Sequence, residues 1–288
     1  MGDKMQIIDT IPYFNQNYHS SIEFLRKYYG EYPEIFKEYF AYHCKDTEER
    51  HQASLEKYPG VLSDIDLVYK YIVPIIRETD EHYKNNYQVS FPVDINLIVG
   101  GFGSNAYTYR QIIPNITFAL EKLSPVPDHL RTIVAHEFGH AAHNIISNDT
   151  GIDWTNVDWN SPLTWLYQEG AATHFSRQTA KGINESVYFS FDDEGEEWLQ
   201  FFGKNKEKII SDFARDVTNL TPFAVFKEWF SISGGSKFGY NRLGYLIGDQ
   251  FFQNLIKING ELGAITAWKD SCFKENVVSW LLNTTQKV

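Results

Sequence analysis

The chain has 288 residues, of which 43% are hydrophobic and 22% charged, and its formal net charge is −11 at pH 7. This length and composition exclude a disordered chain and indicate a globular protein with a sizeable core. The acidic balance argues against a nucleic-acid partner, because binding a phosphate backbone needs a basic face.

The N-terminal stretch MGDKMQIIDTIPYFNQNY lacks the basic start and uninterrupted apolar run of a signal peptide, and no later window reaches membrane-spanning length. We therefore expect a cytoplasmic protein without a membrane-spanning segment; the alternative is an exported protein whose leader has been removed. Cys44 and Cys272 form no C-x-x-C pair, which disfavours a disulfide framework and a cysteine zinc site.

The first 85 residues are predicted to be helical throughout. Apolar and aromatic residues first recur at helical spacing on both sides of Gly30 and Pro33, which predicts two helices in a hairpin. A longer periodic run from Val61 to about Tyr83 predicts another helix, with a kink at Pro74.

The region after residue 85 has a different sequence pattern. Its short β-rich runs, VSFPVDINLIVGG, NAYTY and NITFAL, are separated by turn residues and predict a small antiparallel sheet. Helical periodicity returns at Pro127, continues in LTWLYQEGAATHFSRQTA after a Trp-rich loop, and includes RLGYLIGDQFFQNLIKI. This order indicates a mainly helical α+β fold. We divide the chain into residues 1–85, 86–182 and 183–288, with one continuous domain as the alternative.

The stretch IVAHEFGHAAHN, on the helix that begins near Pro127, carries the clearest chemical signal. His136 and His140 are four positions apart, so both imidazoles lie on one helix face, as two ligands of one ion require. Glu137 cannot easily reach the same ion, but it can act as general base on a water bound to it. We expect a metal site in preference to a histidine pair satisfied in the core, since burying two histidines and an acid is costly without a metal or partners. Zinc is the expected ion, one per chain, because its catalytic sites commonly use three protein ligands.

The third ligand has to come from elsewhere in the chain. A metzincin would need glycine at position 143 and histidine at position 146, and the sequence has neither. We interpret His143 as a residue of the helix surface, with a role in orienting the metal ligands as the alternative. Glu169 is the better ligand candidate, since it lies on a following helix beside small residues that permit close helix packing. Asp153 or Asp158, in the Trp-rich loop, is the alternative third ligand.

This arrangement resembles the gluzincin class of zinc metallopeptidases, in which a glutamate on the next helix completes a His-His-Glu site. It is most similar to predicted zinc-dependent proteases with a Glu-Gly-x-Ala signature at that glutamate. The resemblance spans roughly residues 105–248, about half of the chain. It implies a zincin-like catalytic core within residues 86–182, an active-site helix with the HExxH motif, a helical C-terminal lobe, and zinc held by His136, His140 and Glu169. Thr173 departs from the pattern, because thermolysin-like enzymes have an acidic residue there.

Two further stretches share in the resemblance. GYLIGDQFF is similar to a late Gly-Tyr-x-x-Gly helix, which implies that Tyr245 lies near the metal and stabilises an oxyanion. Its competitors for that role are Tyr240, Arg242 and His174, and an ordinary core tyrosine is the alternative for any one of the tyrosines. SNAYTY is similar to the edge strand that aligns substrate backbone in gluzincins, which implies that Asn105 and Ala106 bind substrate. An ordinary strand after a polar turn is the alternative for the last two residues.

Together these patterns predict a zinc-dependent metallopeptidase that hydrolyses peptide bonds in a peptide or protein substrate, with Glu137 as general base. The alternatives are a catalytically weak or inactive zincin-fold protein that binds peptide or glycan, and a structural helix bundle without metal. GGFGS lacks the ending of a phosphate-binding loop and predicts a turn after a strand, while the acidic run DDEGEE is expected in a solvated loop.

Overall fold

The computed structural model of the chain describes residues 4–285. Of these residues, 68% are helical and four strands form one small sheet, so the mainly helical α+β class is confirmed. No helix in the described range is long and apolar enough to cross a membrane. Contacts divide the chain into two units, Met1–Ala141 and Ala142–Val288, and the division falls inside a helix. The finer division into three parts stays a prediction.

The sheet is mixed, so the prediction of an antiparallel sheet was wrong. Its strand order is β1-β2-β4-β3, with β1 parallel to β2, β2 parallel to β4, and only β3 antiparallel to β4. Parallel neighbours require a long crossover, and the helices between β1 and β2 supply it. The strands are β1 Gln6–Asp9, β2 Asp94–Ile98, β3 Ala106–Thr108 and β4 Ile116–Ala119.

Strand β1 also corrects the expectation that the first 85 residues are all helical. Its four residues, QIID, are too few to show the alternation by which a strand is recognised. The register, with Gln6 opposite Asp94 and Asp9 opposite Leu97, becomes defined only when β2 lies beside it.

The helices of the first unit follow the predicted periodicity. Ser21 accepts a hydrogen bond from the Phe24 amide at the start of one helix, and Pro33 begins the next, which confirms the hairpin. The helix predicted from Val61 runs through Pro74 and ends at Tyr87. The bounds are α1 Ile11–Asn17, α2 Ile22–Glu31, α3 Pro33–Tyr42, α4 Glu48–Lys57 and α5 Leu62–Tyr87.

Helix α6, Pro127–Asp149, carries the HExxH motif and begins where it was predicted. Its first half is fixed by α5 and by the segment before β2. Tyr83 donates a hydrogen bond to the Ala135 carbonyl at 3.1 Å, and the Phe138 and Phe91 rings lie 4.8 Å apart. The backbone just before His136 is thereby held by buried neighbours.

The second unit is built from helices. The acidic run expected in a solvated loop instead forms a 3-10 turn, in which Asp192 accepts from the Glu194 amide, and then the first turn of α9, with Glu196 and Glu197. Acidic side chains are favourable there because of the helix dipole. The bounds are α7 Pro162–Thr179, α8 Val187–Ser190, α9 Glu196–Asn219, α10 Pro222–Trp229, α11 Leu243–Ile265 and α12 Phe273–Thr285.

Candidate metal centre

The two histidines of the HExxH motif lie side by side on α6. Their ring centroids are 4.9 Å apart and the ring planes are nearly perpendicular, at 86°. His136 and Glu137 are buried, and His140 is half-buried. The spacing of four residues therefore places both imidazoles on one face of the helix, as the sequence predicts.

Glu169 of α7 completes a cluster of three possible metal ligands. One ligand atom from each of His136, His140 and Glu169 lies within 4.8 Å of the others. It is the candidate metal site found when His, Cys, Asp and Glu side chains are compared among residues 4–285. We call these three residues the helix cluster.

The donors of the helix cluster fit a zinc ion. Two imidazoles and one carboxylate are a common catalytic zinc set, with ligand distances of about 2.0–2.2 Å. In tetrahedral geometry such ligand atoms lie about 3.4 Å apart. The ligand atoms of the helix cluster, all within 4.8 Å of one another, are close to that separation. A zinc ion held by three protein ligands would have its fourth position available to water or substrate.

Glu169 is positioned by an unusually close crossing of α7 and α11. A Cβ added to Gly170 would lie 2.2 Å from the Gly248 carbonyl oxygen, and one added to Gly248 would lie 2.3 Å from the Leu166 carbonyl oxygen. Only glycine permits such an approach of two backbones. The small residues noted after Glu169 thus serve helix packing, against the second glycine of the GYLIG stretch.

His143 is not on the helix surface, so that interpretation was wrong. The residue is fully buried, its Nε2–H donates to the Ile265 carbonyl oxygen at 2.9 Å, and its ring stacks 4.3 Å from that of Trp268. Tyr167 also donates to the Ile265 carbonyl, at 2.7 Å. His143 therefore ties α6 to the end of α11.

The two aspartates considered as alternative ligands have other contacts. Asp153 accepts hydrogen bonds from Thr155 and Asn156, which lower the pKa of its carboxyl group. Asp158 forms an ion pair with Lys274 at 2.8 Å, which lowers the pKa of that carboxyl group too. Neither belongs to the helix cluster.

Tyr245 is half-buried near the start of α11, one turn before Gly248. The Arg242 guanidinium lies 5.8 Å from its ring centroid. Of the competing residues, Tyr240 stacks on Phe201 at 4.6 Å, and His174 contacts Glu261 at 2.7 Å. The assignment of Tyr245 as oxyanion donor stays a prediction.

The predicted substrate strand lies at one end of the sheet. β3 is last in the strand order, and its first residue, Ala106, pairs with Phe118 of β4. The Asn105 side chain accepts from the Ala106 amide, and the backbone carbonyl oxygen of Asn105 accepts from the Ala119 amide. Binding of substrate by Asn105 and Ala106 stays a prediction.

A second buried polar group was not anticipated from the sequence. Glu121 is buried in the turn after β4, and its carboxylate accepts hydrogen bonds from the Gly100 amide at 2.8 Å and the Phe102 amide at 3.0 Å. Tyr39 accepts from the Gly101 and Gly103 amides, at 2.8 and 3.0 Å. We call Tyr39, Glu121 and residues 100–103 the loop cluster.

The glycines of GGFGS were the available signal for the loop cluster. A Cβ at Gly100 would lie 2.5 Å from the Tyr39 hydroxyl oxygen, and one at Gly103 would lie 2.2 Å from the His43 carbonyl oxygen. The predicted turn after a strand is confirmed, and these glycines are there because the loop packs tightly around buried side chains.

Comparisons with known proteins give no relative on which to base an assignment. No protein-family model, curated protein or solved structure shows significant similarity to this chain.

Proposed function

We propose that this chain is a zinc-dependent metallopeptidase of the gluzincin type. The observation that carries the proposal is the helix cluster: the ligand atoms of His136, His140 and Glu169 gather within 4.8 Å, and Glu137 follows the first histidine on the same helix. This donor set, with an acid next to it in HExxH spacing, is what metal-assisted hydrolysis needs.

The chemistry divides between the ion and the side chains. A zinc ion held by the helix cluster would polarise the scissile carbonyl group and lower the pKa of a water molecule to about 7. Glu137 takes a proton from the attacking water and returns it to the leaving amine, so no net proton is lost from the protein. Tyr245 donates a hydrogen bond to the oxyanion that forms when water adds to the carbonyl carbon.

The burial of Glu137 suits its proposed role. Only 8% of the residue is exposed, so its carboxylate has little bulk water around it. The neighbouring His136 is also buried, so the proton transfer takes place away from solvent.

The decisive experiment replaces Glu137 by Gln, which is similar in shape but cannot accept the proton. Wild type and variant are purified in parallel, their zinc content is measured by elemental analysis, and both are assayed against a library of fluorogenic peptides. We expect about one zinc per chain in both proteins, and a rate of hydrolysis at least roughly 100-fold lower in the variant.

Two other results have clear meanings. Equal hydrolysis by wild type and Glu137→Gln would show that the observed activity does not depend on this base, and would contradict the proposed mechanism. Stoichiometric zinc with no hydrolysis of any peptide would favour a zincin-fold protein that binds peptide or glycan without cleaving it.

A further inference from the structure

Helix α10 exposes large apolar side chains although it is firmly anchored. Its inner face is buried through Val225 and Trp229, and the Trp229 indole donates to Asp216 at 2.9 Å. The outer face carries Phe223, which is 76% exposed, and Phe226, which is 44% exposed. Two phenyl rings held in water on a rigid helix are more informative than scattered apolar residues on a mobile loop.

The exposed rings continue into a row of aromatic contacts. Phe226 lies 5.4 Å from Trp165, edge to face, and both rings are within 6.4 Å of Phe230. Phe230 in turn lies 6.5 Å from the ring of Tyr245. We call Trp165, Phe223, Phe226 and Phe230 the aromatic strip.

The aromatic strip leads to a ligand of the candidate metal centre. Trp165 precedes Glu169 by four residues on α7, so the two side chains share a helix face, and both are half-buried. Residues at this spacing have Cβ atoms about 5–6 Å apart. One residue of an extended peptide spans about 3.3 Å. A peptide lying at the metal centre can therefore reach the strip within a few residues of its scissile bond.

We infer that the aromatic strip binds a large apolar side chain of the substrate, within three residues of the bond that is cleaved. This inference rests on the proposed function and adds a substrate class to it: peptides with Phe, Leu or a similar residue near the cleavage site. We infer a substrate side chain as the occupant because the strip is continuous with Glu169. A large apolar side chain bound there would remove apolar surface from water on both the substrate and the strip.

The test measures peptide binding separately from cleavage. Zinc-loaded Glu137→Gln protein is titrated into fluorescein-labelled octapeptides that carry either Phe or Ser at one position within three residues of a central glycine. Fluorescence anisotropy gives each Kd. We expect at least one Phe peptide to bind about tenfold more tightly than its Ser counterpart, which is the gain from burying much of one phenyl group.

The double variant Phe223→Ser/Phe226→Ser, made in the same background, assigns that preference to the strip. We expect the preference for Phe to disappear in this variant, while Ile258→Ser, at a residue 70% exposed on α11, leaves it unchanged. All three sites are at the surface, so thermal denaturation is expected to show folded proteins in each case. A preference that persists in the double variant overturns the inference.

The other possible occupants give distinct results. A wild-type dimer in sedimentation equilibrium that dissociates in the double variant would assign the strip to a second copy and overturn the inference. Co-sedimentation with vesicles of phosphatidylcholine and phosphatidylserine, lost in the double variant, would overturn it in favour of a lipid surface.

Failure of the proposed function is distinguishable from failure of this inference. If the wild type cleaves peptides without any preference for apolar residues, the proposed peptidase function is supported and the role of the strip in substrate binding is contradicted. If Phe peptides bind selectively but the wild type never cleaves them, the peptidase function is contradicted, and the strip is supported as a site for apolar peptide side chains.

Discussion

The helix cluster and the loop cluster each contain an acidic side chain, half-buried in the first and buried in the second, but with opposite kinds of neighbours. The Glu121 carboxylate is surrounded by the amide donors of one loop, and Tyr39 accepts from the remaining two amides of that loop. The helix cluster instead gathers two imidazoles and a carboxylate, all of which can donate an electron pair to the same ion.

A carboxyl group with a perturbed pKa is therefore not by itself a functional site. Burial raises the pKa of Glu121 to about 7, a value that would suit a general acid or base at neutral pH. Its partners are backbone amides of a tightly packed loop, however, and such a set of contacts fixes a chain segment. The chemistry of the neighbours, more than the pKa, separates the two clusters.

Removal of one metal ligand is the strongest test of this contrast. At zinc concentrations 1,000 times the Kd, we expect zinc to raise the free energy of unfolding of the wild type by about 4 kcal/mol, because it binds only the folded state. His140→Ala and Glu169→Ala should lose this gain and the bound zinc, as measured by urea denaturation and elemental analysis.

Replacement of the exposed His19 by Ala is the matched control and should keep both the zinc and the gain in stability. Zinc retained in Glu169→Ala but lost in His140→Ala would move the third ligand to another residue, and the helix cluster would then no longer be a complete site.

The second test disturbs the packing that positions Glu169. Gly248→Ala forces a Cβ to within 2.3 Å of the Leu166 carbonyl oxygen, so α7 and α11 have to separate. We expect the free energy of unfolding to fall by about 3 kcal/mol and zinc to bind more weakly. Urea denaturation without zinc, followed by a zinc titration, measures the two effects separately.

Gly203→Ala gives the opposite sign and serves as the control for this substitution. Gly203 is exposed inside α9, and an added Cβ meets nothing within 4 Å. The change should stabilise the protein by about 0.5–1 kcal/mol. A Gly248→Ala protein as stable as the wild type would mean that the close crossing is not needed.

The helix cluster shows which parts of the site could be predicted from the sequence. His136 and His140 were identifiable because both lie on one helix, whose period fixes their relation without any tertiary contact. Glu169 was found through its small neighbours and its place on the next helix. The partner of those small residues, Gly248, could not be identified, since the crossing of α7 and α11 joins segments far apart in the sequence.

Three of the four strands lie in the runs predicted from the sequence, but strand β1, the pairing of the strands and the loop cluster could not be predicted, for the same reason. Strand β1 is four residues long, and its parallel direction depends on how five helices return the chain to β2. The donors to Glu121 lie up to 21 residues away, and Tyr39 is 62 residues from Gly101. Local patterns carry no information on such pairings, whereas they specified the helices of both units.

The third test concerns the pH dependence of the loop cluster. The ordinary pKa of a glutamate is 4.5, and burial raises that of Glu121 to about 7 in the folded protein. Between these two values the unfolded chain gives up the proton first, so the Glu121 contribution to stability falls as pH rises. The loss is complete above pH 7 and amounts to at most about 3 kcal/mol.

Glu121→Gln has no titrating group at this position. We expect urea denaturation from pH 4 to 8.5 to show a smaller fall in stability for the variant than for the wild type across the window from 4.5 to 7. A difference between the two curves that is the same at every pH would reflect only the exchange of a carboxyl oxygen for an amide group, and would mean that Glu121 titrates normally.

The smallest effect is expected from Tyr39→Phe, which removes the hydroxyl group that accepts from the Gly101 and Gly103 amides. Both amides then lack this acceptor beside a fully buried ring, and we expect a loss of about 2 kcal/mol in the free energy of unfolding. Tyr42→Phe, at a residue 54% exposed, is the matched control and should change the stability by less than about 0.5 kcal/mol. Zinc content distinguishes the two clusters in the same samples. A loop that is only structural leaves zinc binding unchanged when Tyr39 is replaced, whereas loss of zinc in Tyr39→Phe would couple the loop cluster to the metal centre and remove the contrast between them.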